Sequence, residues 1–239
     1  MKIKYVFFDC WDTVINFERQ DKYEEVKIIY DHVINKELCS FEELCEAHEA
    51  LLKDYHLSTK FEVPQDRIIA YLVESKNLKL DVSYKKICQL RTKAWRPTLM
   101  EGIKEFITFL KDNNIGCSVL SNTIQTQKQT DKYIRKLFGE DYPFDLVIAS
   151  SEYCVKKPDP RFFLLGATKI GVDPKECIYI GDTFRADIRG SSSAGMHPIW
   201  INWKKKETPK DVDGLDYLEF TSYKDMIKYF KLSGCKYEF

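Results

Sequence analysis

Apolar residues along this chain follow two rhythms. Short runs rich in β-branched and aromatic residues read as buried strands: the stretch from Met1 to Phe8, then Cys117–Ser121, Leu146–Ser150, Cys177–Gly181 and Pro198–Asn202. Between the later runs, apolar residues recur three and four positions apart, as in Ile103, Phe106, Ile107 and Leu110, then Tyr133, Ile134 and Leu137, then Phe162, Leu165 and Ile170. That spacing predicts amphipathic helices. Strand and helix alternate, so the expected fold is α/β, a mainly parallel sheet with helices on both faces.

Residues 17–96 break the alternation with charge-rich amphipathic segments and no convincing strand. The expectation is an inserted all-helical domain, with helices near Tyr23–Ile34, Phe41–Tyr55, Pro64–Ser75 and Tyr84–Ala94, and with Ser40 and Ser83 as N-caps. The core domain then comprises residues 1–16 and 97–239.

Composition narrows the class of partner. Lys plus Arg equals Asp plus Glu at 37 each, so no global positive field exists to hold a nucleic-acid backbone or an anionic membrane. The first apolar run is cut short by Asp9 and Asp12, which argues against a signal peptide or a membrane span. Eight cysteines are scattered without a C-x-x-C pair, the pattern of reduced thiols in a cytoplasmic protein. Cys39, Cys45 and His48 come nearest to a zinc cluster but lack a fourth ligand at a useful spacing. The Lys204–Lys210 charge run reads as a solvated loop. Nothing in the sequence specifies an oligomeric state.

In an open parallel sheet, ligands collect beyond the carboxyl ends of the strands. Four such ends carry reactive groups: Asp9-Cys10-Trp11-Asp12-Thr13, Ser121-Asn122-Thr123, Lys156-Lys157-Pro158-Asp159, and Gly181-Asp182 with Asp187 five residues on. A carboxylate such as Asp9 can attack an electrophile and form a covalent intermediate. The Ser121 hydroxyl and nearby amides can hold non-bridging oxygens, a lysine can offset negative charge, and Asp182 with Asp187 offers oxygen ligands suited to magnesium.

Taken together and in this order, the four sets resemble the motifs of the haloacid dehalogenase superfamily: D-x-D-x-T, a Ser or Thr, a Lys often before Pro-Asp-Pro, and G-D-x-x-x-x-D. The resemblance spans nearly the whole chain and implies a Rossmann-like core whose helical insertion is a cap closing over small substrates. It implies Asp9 as nucleophile, Ser121 as the phosphate-binding hydroxyl and Lys157, just before Pro158, as the charge-balancing lysine. Thr13 and Asn122 become substrate-binding positions. Mg2+ would be held by Asp9, Asp182, Asp187 and the backbone carbonyl of Trp11, and the substrate would be a small phosphorylated metabolite.

The sequence departs from the family at one chemically important position. Phosphatases of the family carry a general acid/base Asp two residues after the nucleophile, where this chain has Trp11. An indole exchanges no proton near neutral pH, and acid–base catalysis contributes ~10²–10⁴-fold. Asp12 next door either substitutes or caps a turn, and the turn is the expected role. Two other readings follow from Trp11: a 2-haloacid dehalogenase, whose family position holds an aromatic Tyr, and a catalytically weak binding homologue.

Overall fold

The computed structural model describes residues 2–16, 22–58, 60–212, 214–232 and 237; Met1, Cys235 and the start of the expected insertion at residues 17–21 lie outside them. The chain begins with β1 (Tyr5–Phe8) and β2 (Ile15–Asn16), followed by α1 (Lys22–Tyr30), α2 (Phe41–Ser58), α3 (Gln65–Glu74) and α4 (Tyr84–Ala94). It continues through β3 (Thr98–Leu99), α5 (Ile103–Asp112), β4 (Gly116–Ser121), α6 (Gln127–Phe138), β5 (Val147–Ala149) and α7 (Pro160–Ile170). The last part holds β6 (Cys177–Gly181), α8 (Gly190–Ser193), β7 (His197–Ile201), β8 (Leu218–Phe220) and α9 (Tyr223–Phe230).

Six strands form one parallel sheet in the order β5-β4-β1-β6-β7-β8. Because side chains alternate along a strand, Val6 and Phe8 face one way and Tyr5 and Phe7 the other. The first face packs with Phe106 of α5 and Met226 and Phe230 of α9, and the second with Phe162, Phe163 and Ala167 of α7. Burial on both faces explains why these strands read as continuous apolar runs. The ring of Phe8 meets Phe106 and Phe144 edge-on, with centroids 6.1 and 6.0 Å apart. β8 and α9 extend what the sequence pattern predicts; Glu219 interrupts the apolar run of β8, whose Leu218 and Phe220 are only half buried.

The chain divides into two compact units, Met1–Phe17 with Thr98–Phe239, and Glu18–Pro97. Within the first unit, β2 and β3 pair antiparallel, Ile15 opposite Leu99. In the second unit the four helices enclose their own core of Val26, Ile29, Leu44, Ile69, Leu72 and Ile87. Ser40 caps α2 reciprocally: its hydroxyl accepts from the Glu43 N–H at 3.2 Å, and its own N–H donates to the Glu43 carboxylate at 2.8 Å. Ser83 accepts from the Lys86 N–H at the start of α4.

The helical unit also buries charge. Arg91 of α4 is ion-paired with Glu25 of α1, and His48 of α2 is buried near both. Burial, reinforced by the Arg91 charge and opposed by Glu25, lowers the His48 pKa to about 4. The unfolded chain therefore binds a proton at His48 below its ordinary pKa of ~6.5 that the folded chain refuses, and stability falls as pH drops through that window toward 4. We expect the His48-dependent part of this loss to reach ~2–3 kcal/mol between pH 7 and 4.5. Urea melts of wild type and His48→Gln at both pH values measure it; equal pH slopes in the two proteins would refute it.

Candidate active site

The strand order reverses direction beside β1: the chain goes from β1 to β4 and β5 on one side, then crosses to β6, β7 and β8 on the other. A crevice opens at such a point, at the carboxyl ends of the strands. Asp9 follows β1 directly, its N–H fixed to the Ile180 carbonyl at 2.8 Å. Ser121 closes β4 and Asp182 follows β6, so the central three strands each deliver a motif residue to the same end.

Lys157 arrives from the loop between β5 and α7. The loop is anchored at one end by Asp159, which caps α7 ahead of Pro160, and at its middle by Asn122. The Asn122 side-chain amide donates to the Lys157 carbonyl and accepts from the Lys157 N–H, both at 2.9 Å. Asn122, whose backbone amide is the part expected to meet substrate, commits its side chain to holding the lysine backbone. Its ammonium has three partners: Asp9 Oδ1 at 2.5 Å, Asp187 Oδ1 at 2.7 Å and the Tyr179 hydroxyl at 2.8 Å. Tyr179 in turn donates to the Leu120 carbonyl at 3.1 Å.

Asp187 sits in a π-helical turn, Phe184–Arg189, with its second oxygen accepting the Thr183 N–H at 2.8 Å. Gly181 is required here: a Cβ on it would lie 2.3 Å from Asp187 Cγ. Asp9, Asp182 and Asp187 are all buried, and one oxygen of each lies within 4.8 Å of the other two. Three hard carboxylate donors around one point suit a divalent cation such as Mg2+.

The electrostatics of the group follow from burying this much charge. Burial raises the Asp9 pKa to about 7, against the pull of Lys157 and with Asp187 and Asp182 adding to the rise. Burial also raises Asp182, Asp187 reinforces this, and Lys206 opposes it. For Lys157, burial works against the charge, but Asp187 and Asp9 outweigh it and hold the ammonium well above the usual lysine pKa.

Thr13 Oγ1, in the turn after β1, and Ser121 Oγ, at the end of β4, are buried without an oxygen or nitrogen partner among the described residues. Unpaired buried donors are costly and mark sites where a further acceptor belongs. Trp11 is half buried with its side chain packed against the sheet's core. Asp12 lies in a left-handed turn, φ 57°, with its carboxylate 2.7 Å from the Lys204 ammonium.

Four contributors escaped the sequence reading: Tyr179, Asn202, Trp203 and Lys206. Lys206 Nζ is 2.9 Å from Asp182 Oδ2, and Trp203 Nε1 donates to the Asp12 carbonyl at 3.0 Å. The Lys204–Lys210 run, expected to be a solvated loop, therefore delivers two lysines, each about half exposed, to acids of the site. A signal existed, because Asn202 ends the last of the expected strands and the residues beyond that end invite the same inspection as the others.

A model of the haloacid dehalogenase-like hydrolases matches residues 3–195. Glyceraldehyde 3-phosphate phosphatase of Methanopyrus kandleri is 34% identical over 102 residues, which are 42% of this chain and 43% of that relative, so the match spans less than half of it. The enzyme of the same name from Methanocaldococcus jannaschii is 27% identical over 92% of both chains. The crystal structure of a HAD phosphatase from Thermococcus onnurineus superposes with a TM-score of 0.67 at 21% identity, covering 95% of this chain and 97% of that one, a likeness of fold. With its family model matched over most of its length, the chain belongs to the haloacid dehalogenase-like hydrolases.

Proposed function

We propose that the protein is a magnesium-dependent phosphatase that acts on a small phosphorylated metabolite through a phosphorylated Asp9. The observation that carries this reading is the Lys157 ammonium held between Asp9 and Asp187, with Asp182 completing a three-carboxylate group. In the first step an Asp9 oxygen attacks phosphorus while the bond to the leaving oxygen breaks. In the second, water attacks the same phosphorus, the Asp9–phosphorus bond breaks, and inorganic phosphate departs. Mg2+, held by Asp9, Asp182, Asp187 and the Trp11 carbonyl, would neutralise charge on the phosphoryl group. Lys157 shares that task, and the unpartnered hydroxyls of Ser121 and Thr13 are available to non-bridging oxygens. Asn122 contributes by fixing Lys157.

The helical unit is the part we assign to substrate choice, as a cap spanning residues 17–96 on a core of 1–16 and 97–239. Relatives named for glyceraldehyde 3-phosphate support a small phosphate ester as substrate. We assign the reaction to the cytoplasm, in keeping with free thiols at the seven described cysteines.

Trp11 favours a second reading, release of halide from a 2-haloacid, because halide leaves without a proton. Against it, three buried carboxylates converging on one point are a cation-binding arrangement that metal-free displacement does not need.

A panel of acyl, aryl and alkyl phosphates, each with and without Mg2+, separates these readings. We expect phosphate release that depends on Mg2+, favours good leaving groups, and falls by at least ~10³-fold in Asp9→Asn. Halide release from 2-haloacids with no phosphate turnover would establish the second reading instead.

Gly181→Ala probes the geometry from outside the reacting atoms. The new methyl group has to displace Asp187. We expect a loss of ~1–3 kcal/mol of stability from overpacking and a drop of ~10²-fold in turnover from misplacing the carboxylate. A thermal melt and a rate assay check both; a variant with wild-type turnover would mean that Asp187 need not be held where it is.

A further inference from the structure

The protein builds the same clamp twice. One residue past the end of β4, Asn122 grips both backbone polar groups of Lys157. One residue past the end of β7, Asn202 does the same to Lys206: its amide nitrogen donates to the Lys206 carbonyl and its oxygen accepts from the Lys206 N–H, each at 2.8 Å. Asn202 is itself buried, and a further hydrogen bond to Glu219 of β8 at 2.7 Å locks its orientation. The turn between clamp and lysine passes through Lys205 at φ 50°. In both cases the clamped lysine ends on a carboxylate of the three-acid group, Lys157 on Asp9 and Asp187, Lys206 on Asp182.

An ordinary surface ion pair has no such support, since two flexible side chains that meet in water contribute little. The Lys206 side chain is about half exposed, yet its backbone is pinned by the buried Asn202. Its ammonium also lies 3.4 Å from the Asp182 carbonyl, which takes the Trp200 indole N–H at 2.9 Å. On the carboxylate, Oδ2 receives Lys206 and Oδ1 receives the Thr183 hydroxyl at 3.0 Å. The direction in which Asp182 presents itself is therefore fixed by neighbours on both oxygens.

We infer that Lys206, tethered by Asn202, is a positioning residue that sets the affinity of the three-acid group for a divalent cation by holding Asp182 and opposing the cation's charge. This rests on the magnesium reading above and goes beyond it. One fixed positive charge beside a ligand carboxylate lowers the net negative charge felt by an incoming ion, and the low dielectric around a partly buried site makes the effect larger than in water. The consequence is a moderated affinity.

The test is calorimetric titration of the intact protein with Mg2+, comparing wild type, Lys206→Gln, Lys206→Arg, Asn202→Ala and Asp182→Asn, with thermal melts to confirm that each is folded. Lys206→Gln should bind Mg2+ roughly tenfold more tightly, Lys206→Arg should restore the wild-type value, and Asn202→Ala should fall between the two. Asp182→Asn should bind much more weakly. Unchanged or weaker binding by Lys206→Gln, or tightening by Lys206→Arg as well, overturns the inference; if Asp182→Asn still loses binding, the magnesium reading survives. Absence of Mg2+ binding by wild type and every variant at millimolar concentration overturns both. Magnesium-independent phosphate release that still requires Asp9 overturns the metal reading and this inference while leaving the nucleophile.

Discussion

One buried ammonium organises the carboxyl end of the sheet. Lys157 uses all three of its N–H bonds on Asp9, Asp187 and Tyr179, groups that lie just after β1, in the turn after β6, and in β6 itself. Without it, Asp9 and Asp187 would be buried carboxylates with no compensating charge, and removing one partner from such a group costs about 3–5 kcal/mol. The rest of the local architecture can be understood as what this lysine needs. Asn122 fixes its backbone, Asp159 and Pro160 start the helix that follows, and Gly181 leaves room for the acid it touches. Three buried carboxylates beside one fully buried ammonium make a group that a divalent cation suits.

The sheet makes that meeting possible because β1 lies between β4 and β6, so residues separated by more than a hundred positions end within a few ångströms. Asp9 and Lys157 are 148 residues apart, and their pairing is fixed by strand order and not by local sequence. The core explains why the order is kept. Val6 and Phe8 fill one layer and Tyr5 and Phe7 the other, so a one-residue slip of β1 would exchange the two sets of contacts and reverse the direction of the residues beside Asp9.

Periodicity gave access to most of the fold in the sequence, because strands buried on both faces and helices with one apolar stripe leave strong patterns. The central strands and α5, α6 and α7 follow them closely. β8 left little trace, since an edge strand of three residues with a glutamate at its centre has no distinctive rhythm. Among the candidate-site residues, Asp9, Ser121 and Asp182 are legible because each follows or ends a strand, and Lys157 and Asp187 because each lies a short stretch beyond one, in a recognisable order. Tyr179 was not, because a tyrosine inside a strand reads as packing until its hydroxyl is seen on Lys157. Lys206 was hidden in a charge run, and only the Asn202 clamp distinguishes it from its neighbours.

The turn after β1 sets the terms on which the chemistry can run. On the proposed reading, the position two residues after Asp9 would hold an acid/base carboxylate; Trp11 is there instead, and its ring is given over to the core of the sheet. Asp12, the nearest replacement, is held from two sides: Lys204 takes its carboxylate and Trp203 its carbonyl, while the left-handed backbone fixes the turn. Its carboxylate is already engaged by an ammonium, which leaves it poorly placed to shuttle a proton. Lys157 cannot take over, because Asp9 and Asp187 hold its proton tightly. On the proposed reading, the leaving group would then depart with little protonic help, or take its proton from solvent or from the substrate itself. Selectivity in the proposed reaction would begin with the leaving group, before any side chain of the helical unit is considered.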